Sequence, residues 1–170
     1  MNLKEFIRDI PDFPKPGILF KDITPLLASP EAFTYAIDNL CQHYSPMQID
    51  AIAAAEARGF LVAAPMAIKM NKPIVPLRKP GKLPYHTVSH QYELEYGTAE
   101  LHMHIDAIKP QARVLLVDDL LATGGTMQAG CKLIQQAGGV VVGCGFLVEL
   151  SFLNGFEKLK PVECYSVIRY

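Results

Sequence analysis

The densest chemical signal in this chain is the run Asp118-Asp119-Leu120-Leu121-Ala122-Thr123-Gly124-Gly125-Thr126. Two adjacent acids are followed, after three apolar residues, by a Thr-Gly-Gly-Thr turn that opens a helical pattern. Glycine permits positive φ and close backbone approach, and a helix N-terminus offers unpaired N–H groups and the positive end of the dipole. Those properties describe a phosphate cradle formed by the turn Thr123-Gly124-Gly125-Thr126. It is not a Walker loop, which needs a Lys after its second glycine, and it is not a GxGxxG turn. Asp118 and Asp119 would repel phosphate but suit hydroxyl groups. A ribose with its 5′-phosphate in the turn and its 2′- and 3′-hydroxyls on the two acids satisfies both halves. The plainer alternative is a strand–turn–helix whose acids face solvent and whose Thr caps the helix.

The elements that must hold this run follow from hydrophobic patterning. Residues 113–117 (RVLLV) and 50–56 are continuous apolar runs, as expected of strands covered on both faces. The first is expected to stop where the acids begin. Further strands are read at 73–77, 140–148 and 163–168. Helices are read after Ser29-Pro30-Glu31, over 59–70 with a kink or late start at Pro65, and over 126–137. Residues 99–105 alternate in polarity and, with 91–96 and a turn at Gly97-Thr98, predict a hairpin. Residues 78–91 show no periodicity, and 11–29, rich in proline, read as an extended arm packed on a more regular body. Apolar strands separated by helices imply an α/β fold with a mostly parallel central sheet flanked by helices.

Composition narrows the function class. The chain has 170 residues, 50% apolar and 19% charged, which suits one domain with a full core and excludes disorder. The formal charge of −1 gives no general attraction to nucleic acid or anionic membrane, so neither is an expected partner. No apolar run reaches membrane-span length, and the charged start MNLKEFIRDIPDF does not read as a signal peptide. Cys41, Cys131, Cys144 and Cys164 are dispersed, without CxxC spacing, so zinc is not expected and a cytoplasmic protein with reduced thiols is. His102 and His104 form an HxH, with His86 and His90 nearby, but they lie on the polar side of the alternating strand and are not read as a dedicated metal site.

The string VLLVDDLLATGGT resembles the phosphoribosyl-pyrophosphate motif of the type I phosphoribosyltransferases. DFPKPGILFKDITPLL, EARGF, LRKPGKLP, LEYG and VEL follow in the order and spacing of that family's adenine-using branch. The resemblance spans nearly the full length. It implies one domain over 1–170, with a small N-terminal hood and base-binding arm at about 1–29 and a flexible hairpin lid at about 78–105. The implied reaction is purine salvage: adenine and phosphoribosyl pyrophosphate give AMP and pyrophosphate. Magnesium is expected to be held mainly by substrate oxygens rather than by a protein cage, and a homodimer is expected.

The resemblance also assigns roles. Glu56, Ala57, Arg58 and Gly59 hold pyrophosphate, with the Glu56–Ala57 peptide cis; Ala57 stands where the family usually has Ser. Arg78, Lys79 and Lys82 belong to a lid that closes over pyrophosphate and excludes water, although the same residues alone read as a solvated loop. Glu95 handles the adenine proton while N9 attacks C1′, and Tyr96 packs on lid and substrate; a strand-face Glu is the alternative. Phe20 stacks on the base and Leu150 covers its other face, both also consistent with ordinary core packing. Backbone groups near Leu19 and Lys21 read the ring edge, Lys21 standing where the family often has Arg. Asp118, Asp119, Arg58 and Glu95 are thus the expected catalytic residues. Two competing readings are a non-catalytic sensor of the same sugar, and an enzyme using another purine.

Overall fold

The computed structural model describes residues 1–93 and 97–170, in two units, Met1–Asn39 and Leu40–Tyr170. In the first, β1 (Arg8–Ile10) pairs antiparallel with β2 (Phe20–Asp22), setting Asp9 opposite Lys21. Two helices follow, α1 (Thr24–Ala28) and α2 (Pro30–Tyr44), the second running into the next unit. The Asp22 carboxylate accepts from the Thr24 N–H at 2.9 Å and its hydroxyl at 2.6 Å, fixing the entry to α1. Ser29 Oγ accepts from the Ala32 N–H at 3.3 Å, the cap that the Ser-Pro-Glu start predicts. The 11–29 arm is less extended than its proline content suggests. Pro25 falls in the first turn of α1, where a missing N–H removes no helical bond.

The second unit is built on β3 (Ala51–Ala55), α3 (Gly59–Met70), β4 (Ile74–Leu77), β5 (Thr87–Glu93), β6 (Thr98–His104), β7 (Arg113–Leu121), α4 (Gly125–Gln136), β8 (Val140–Glu149) and β9 (Cys164–Arg169). Five strands form a parallel sheet in the order β4-β3-β7-β8-β9. Val114 and Leu116 of β7 join Ala53, Val75 and Phe146 on one face, beneath Met127, Leu133 and Ile134 of α4. The hairpin β5–β6 adds Leu101 and Met103 to the same cluster. On the other face α3 packs against β3 and β7. There β8 is bare at Gly143 and Gly145, where a Cβ would come within 2.8 and 3.0 Å of the Tyr44 ring; Tyr44 is fully buried and donates to the Cys144 carbonyl at 2.8 Å.

Three expectations are corrected. The strand expected to stop at Val117 runs to Leu121, through both acids, because its ladder with β8 continues from Asp118↔Phe146 to Leu121↔Glu149. Residues 87–90, expected to lack regular structure, begin β5, since their register with β6 starts at Thr87↔His104. Helix α3 begins at Gly59 and runs through Pro65, so the late start is corrected; Pro65 has no N–H to offer the carbonyl of exposed Leu61. Among the described residues no helix is long and apolar enough to cross a membrane.

In its own chain order the parallel sheet reads 2-1-3-4-5, so the connections leave in opposite directions between β3 and β7. A crevice opens there at the carboxyl ends of the strands, the place where open α/β sheets bind ligands.

Candidate active site

The crevice at this switch point is a cleft of about 470 Å³ lined from two strand ends. Past β3 come Glu56, Ala57 and Arg58; from β7 and its exit come Asp118, Asp119 and 122–126. The two candidate sequences thus converge, although 62 positions separate Glu56 from Asp118. The Glu56–Ala57 peptide is cis, as the resemblance implied.

The β3 exit is organised by charge. Arg58 Nε lies 2.8 Å from Asp119 Oδ2, the carboxylate being nearly enclosed and the guanidinium half-exposed. Glu56 receives the next strand's exit: the Lys79 N–H donates to Glu56 Oε1 at 2.5 Å, and Arg78 Nε is 3.5 Å from the same atom. Arg78 also donates to the Lys82 carbonyl at 3.2 Å, so one guanidinium ties the basic turn together. The Lys79 and Lys82 side chains are exposed. Backbone bonds between Arg78 and His102, at 2.9 and 2.7 Å, fasten this turn to β6.

The two acids differ. The Asp119 N–H donates to Asp118 Oδ1 at 2.9 Å, and that oxygen lies 2.8 Å from where a Cβ on Gly59 would stand. Withdrawal from water, then the neighbouring Asp119 charge, push the Asp118 carboxyl well above the usual carboxylate range. Burial raises Asp119 too, against the pull of Arg58. Asp118 is therefore the better proton holder of the pair, and Asp119 the better partner for a cation.

The β7 exit is organised by backbone. Gly124 adopts φ 80° and precedes α4, whose first turn closes when the Gln128 N–H bonds to the Gly124 carbonyl at 2.9 Å. The N–H groups of the first turn have no helical partners, and the residues that carry them line the cleft, an arrangement suited to an oxyanion. A Cβ on Gly125 would meet nothing within 4 Å, so this face is open. Tyr92 of β5 brings its hydroxyl to 3.4 Å from Thr126 Oγ1, and Gln136 meets His90 at 3.1 Å, so the hairpin lies along α4.

The remaining expected residues fall elsewhere. Leu150 is buried just past β8, its N–H donating to the Leu121 carbonyl at 2.9 Å. In the first unit Leu19 is exposed and Phe20 packs edge-on against Phe13, ring centroids 5.1 Å apart. Lys21 is buried and its ammonium meets Asp9 Oδ1 at 2.6 Å. Glu95 and Tyr96 lie outside the described residues. Sequence reasoning missed Tyr92 and Gly155, the latter backing the cradle. An aromatic on the inward face of β5 was a signal for the first; nothing local marks the second. Among the described residues no three His, Cys, Asp or Glu side chains converge on a metal position. Glu56, Asp118 and Asp119 bring hard carboxylate oxygens to the cleft, a donor set that fits a magnesium ion completing its shell with substrate oxygens and water.

Comparison with known proteins agrees with this geometry. The profile of the phosphoribosyl transferase domain matches residues 23–167. The adenine phosphoribosyltransferase of Fervidobacterium nodosum is 55% identical over 170 residues, covering all of both chains. That of Maridesulfovibrio salexigens is 56% identical over 169, covering 99% of each. The crystal structure of the Thermoanaerobacter pseudethanolicus adenine phosphoribosyltransferase superposes with a TM-score of 0.96 at 52% identity, over 99% of this chain and 98% of that one. The Saccharomyces cerevisiae enzyme, solved with an imino-altritol bisphosphate and adenine, gives 0.91 at 35% identity, over 97% and 96%. With a matching fold, a cleft at the switch point and relatives this close over the whole length, the chain belongs to the phosphoribosyl transferase family, among its adenine phosphoribosyltransferases.

Proposed function

We propose that this chain transfers the phosphoribosyl group of phosphoribosyl pyrophosphate to N9 of adenine, a purine-salvage step giving AMP and pyrophosphate. The observation that carries the reading is the meeting of the Glu56–Gly59 turn with the Asp118–Thr126 run in one cleft. The N9–C1′ bond forms, the bond from C1′ to the pyrophosphate oxygen breaks, and the N9 proton passes to Glu95. Thr123, Gly124, Gly125 and Thr126, with Ala122, hold the 5′-phosphate by N–H and hydroxyl donors. Asp118 and Asp119 accept from the ribose hydroxyls. Arg58, Glu56, Ala57 and Gly59 form the pyrophosphate turn, and Arg78, Lys79 and Lys82, with Tyr96, close over it. A guanidinium suits this task because it binds oxyanions bidentately. Adenine recognition is assigned to Leu19, Phe20 and Lys21 of the first unit and to Leu150 of the second; a backbone N–H facing N1 and a carbonyl facing the 6-amino group would reject 6-oxopurines.

Magnesium is held mainly by diphosphate and ribose oxygens, with Asp118 and Asp119 nearest; when bound, it offsets charge on the departing pyrophosphate. Cys131 and Cys144, whose sulfurs lie 3.8 Å apart without a disulfide joining them, support a reducing cytoplasmic setting. A homodimer is supported by α3, which exposes Leu61 and Ile68, two turns apart on one face; a light-scattering mass of one chain would remove that part.

Initial rates with adenine, hypoxanthine, guanine and xanthine, with and without Mg²⁺, test the whole reading. AMP and pyrophosphate should form in equal amounts from adenine, stop on chelation and resume on adding Mg²⁺. Preference for another base would overturn the substrate. Tight sugar binding with no turnover would leave a sensor.

A further inference from the structure

We infer that Gly155 is a positioning residue for the 5′-phosphate cradle, which it braces from behind through direct backbone contact. The inference rests on the cradle taking the 5′-phosphate. Gly155 opens a 3-10 turn, Gly155–Leu159, whose far end is fixed: Leu159 is buried in the sheet–α4 core, and Gln128 of α4 donates to the Lys158 carbonyl at 3.2 Å. Its near end is set by Asn154 at φ 52°, whose carbonyl accepts from the Glu157 N–H at 3.1 Å. Between these anchors Gly155 is pressed against the cradle. A Cβ there would fall on the Ala122 carbonyl oxygen and within 3.0 Å of the Gly124 nitrogen. The contact is reciprocal, since a Cβ on Gly124 would fall on the Gly155 carbonyl oxygen.

The two glycines are required for different reasons. Gly124 needs its positive φ as well as the room, whereas Gly155 lies outside the left-handed region, so an alanine there meets only the steric collision. Backbone cannot yield as a flexible side-chain end can. A methyl group at 155 must therefore displace the 122–124 segment, which lines the cleft, and with it the N–H groups that receive phosphate oxygens. Displacements on the order of 1 Å at such a site cost about a hundredfold in rate.

Calorimetric binding and steady-state kinetics of Gly155→Ala test this. Affinity for ribose 5-phosphate and KM for phosphoribosyl pyrophosphate should worsen by about tenfold or more, with the affinity for inorganic pyrophosphate and KM for adenine within about twofold. Unchanged ribose 5-phosphate affinity would overturn the inference, as would an equal loss in all four quantities, which marks a merely structural glycine. Should Gly155→Ala not fold, Gln128→Ala, which releases the turn from α4, should weaken ribose 5-phosphate binding selectively; no change in that folded variant overturns the inference. If the wild-type protein does not bind ribose 5-phosphate, the cradle assignment itself fails. If it binds and Gly155→Ala binds equally, only the brace is lost.

Discussion

On the proposed function, the two turns that meet in the cleft solve the same problem, gripping an anion, with opposite materials. The β3 exit works through side chains: Arg58 leans on Asp119, and Glu56 collects Arg78 and the Lys79 N–H. The β7 exit works through backbone, with Gly124 and Gly155 in mutual contact and α4 behind them. A grip built of ion pairs responds to charge and pH and tolerates small changes in volume. A grip built of interlocked backbone is indifferent to pH and tolerates no added atom. The contrast assigns each turn its own mode of failure.

The sharpest break removes charge without volume. Asp118→Asn with Asp119→Asn should abolish measurable turnover while circular dichroism and cooperative unfolding persist, because the ladder through these positions is backbone. Near wild-type kcat/KM in that variant would remove the ribose assignment. Volume without charge comes next. Gly124→Ala should lower kcat/KM for phosphoribosyl pyrophosphate by about a hundredfold, since it adds both a clash and an unfavourable φ, whereas Gly125→Ala, with open space around it, should cost clearly less. Equal losses at the two glycines would mean the backing contact does not matter.

The smallest effect concerns stability. Asp118 titrates higher folded than unfolded, so between an unfolded value of about 3.9 and its raised folded value the native state holds the extra proton. Stability is thus lost as pH rises through that window, and both states are protonated below it. Asp118→Asn should therefore raise Tm at pH 8, on the order of 2–4 °C, and show no gain near pH 3. A gain of the same size at both pH values would point to packing rather than ionisation. The Gly124 variants should show no such pH dependence.

Most of the fold was legible because the parallel strands are apolar runs and α4 ends at a Gly-Gly pair. The miss at β7 has a clear cause. Asp118 and Asp119 read as a strand end by polarity, yet backbone pairing to β8 does not depend on side-chain type. The first residues of β5 escaped because Thr87, Ser89 and His90 give a weak alternation, and the strand's partner is β6, not the main sheet. At the site, 122–126 was legible because a cradle is a local, contiguous device. The Arg58–Asp119 pair and the Gly155 brace were not, since each joins segments 31 or more positions apart and leaves no periodic trace.

The bond from the Leu150 N–H to the Leu121 carbonyl has a metrical consequence. It continues the β7–β8 ladder by one rung, so the first cradle residue and the residue assigned to cap the heterocycle leave adjacent strands at the same level. On the proposed function, the two ends of a mononucleotide are then gauged against one rigid ruler. Inserting a single residue into either strand would shift one end by a rung against the other, so this enzyme can drift in its loops far more freely than in the length of these two strands.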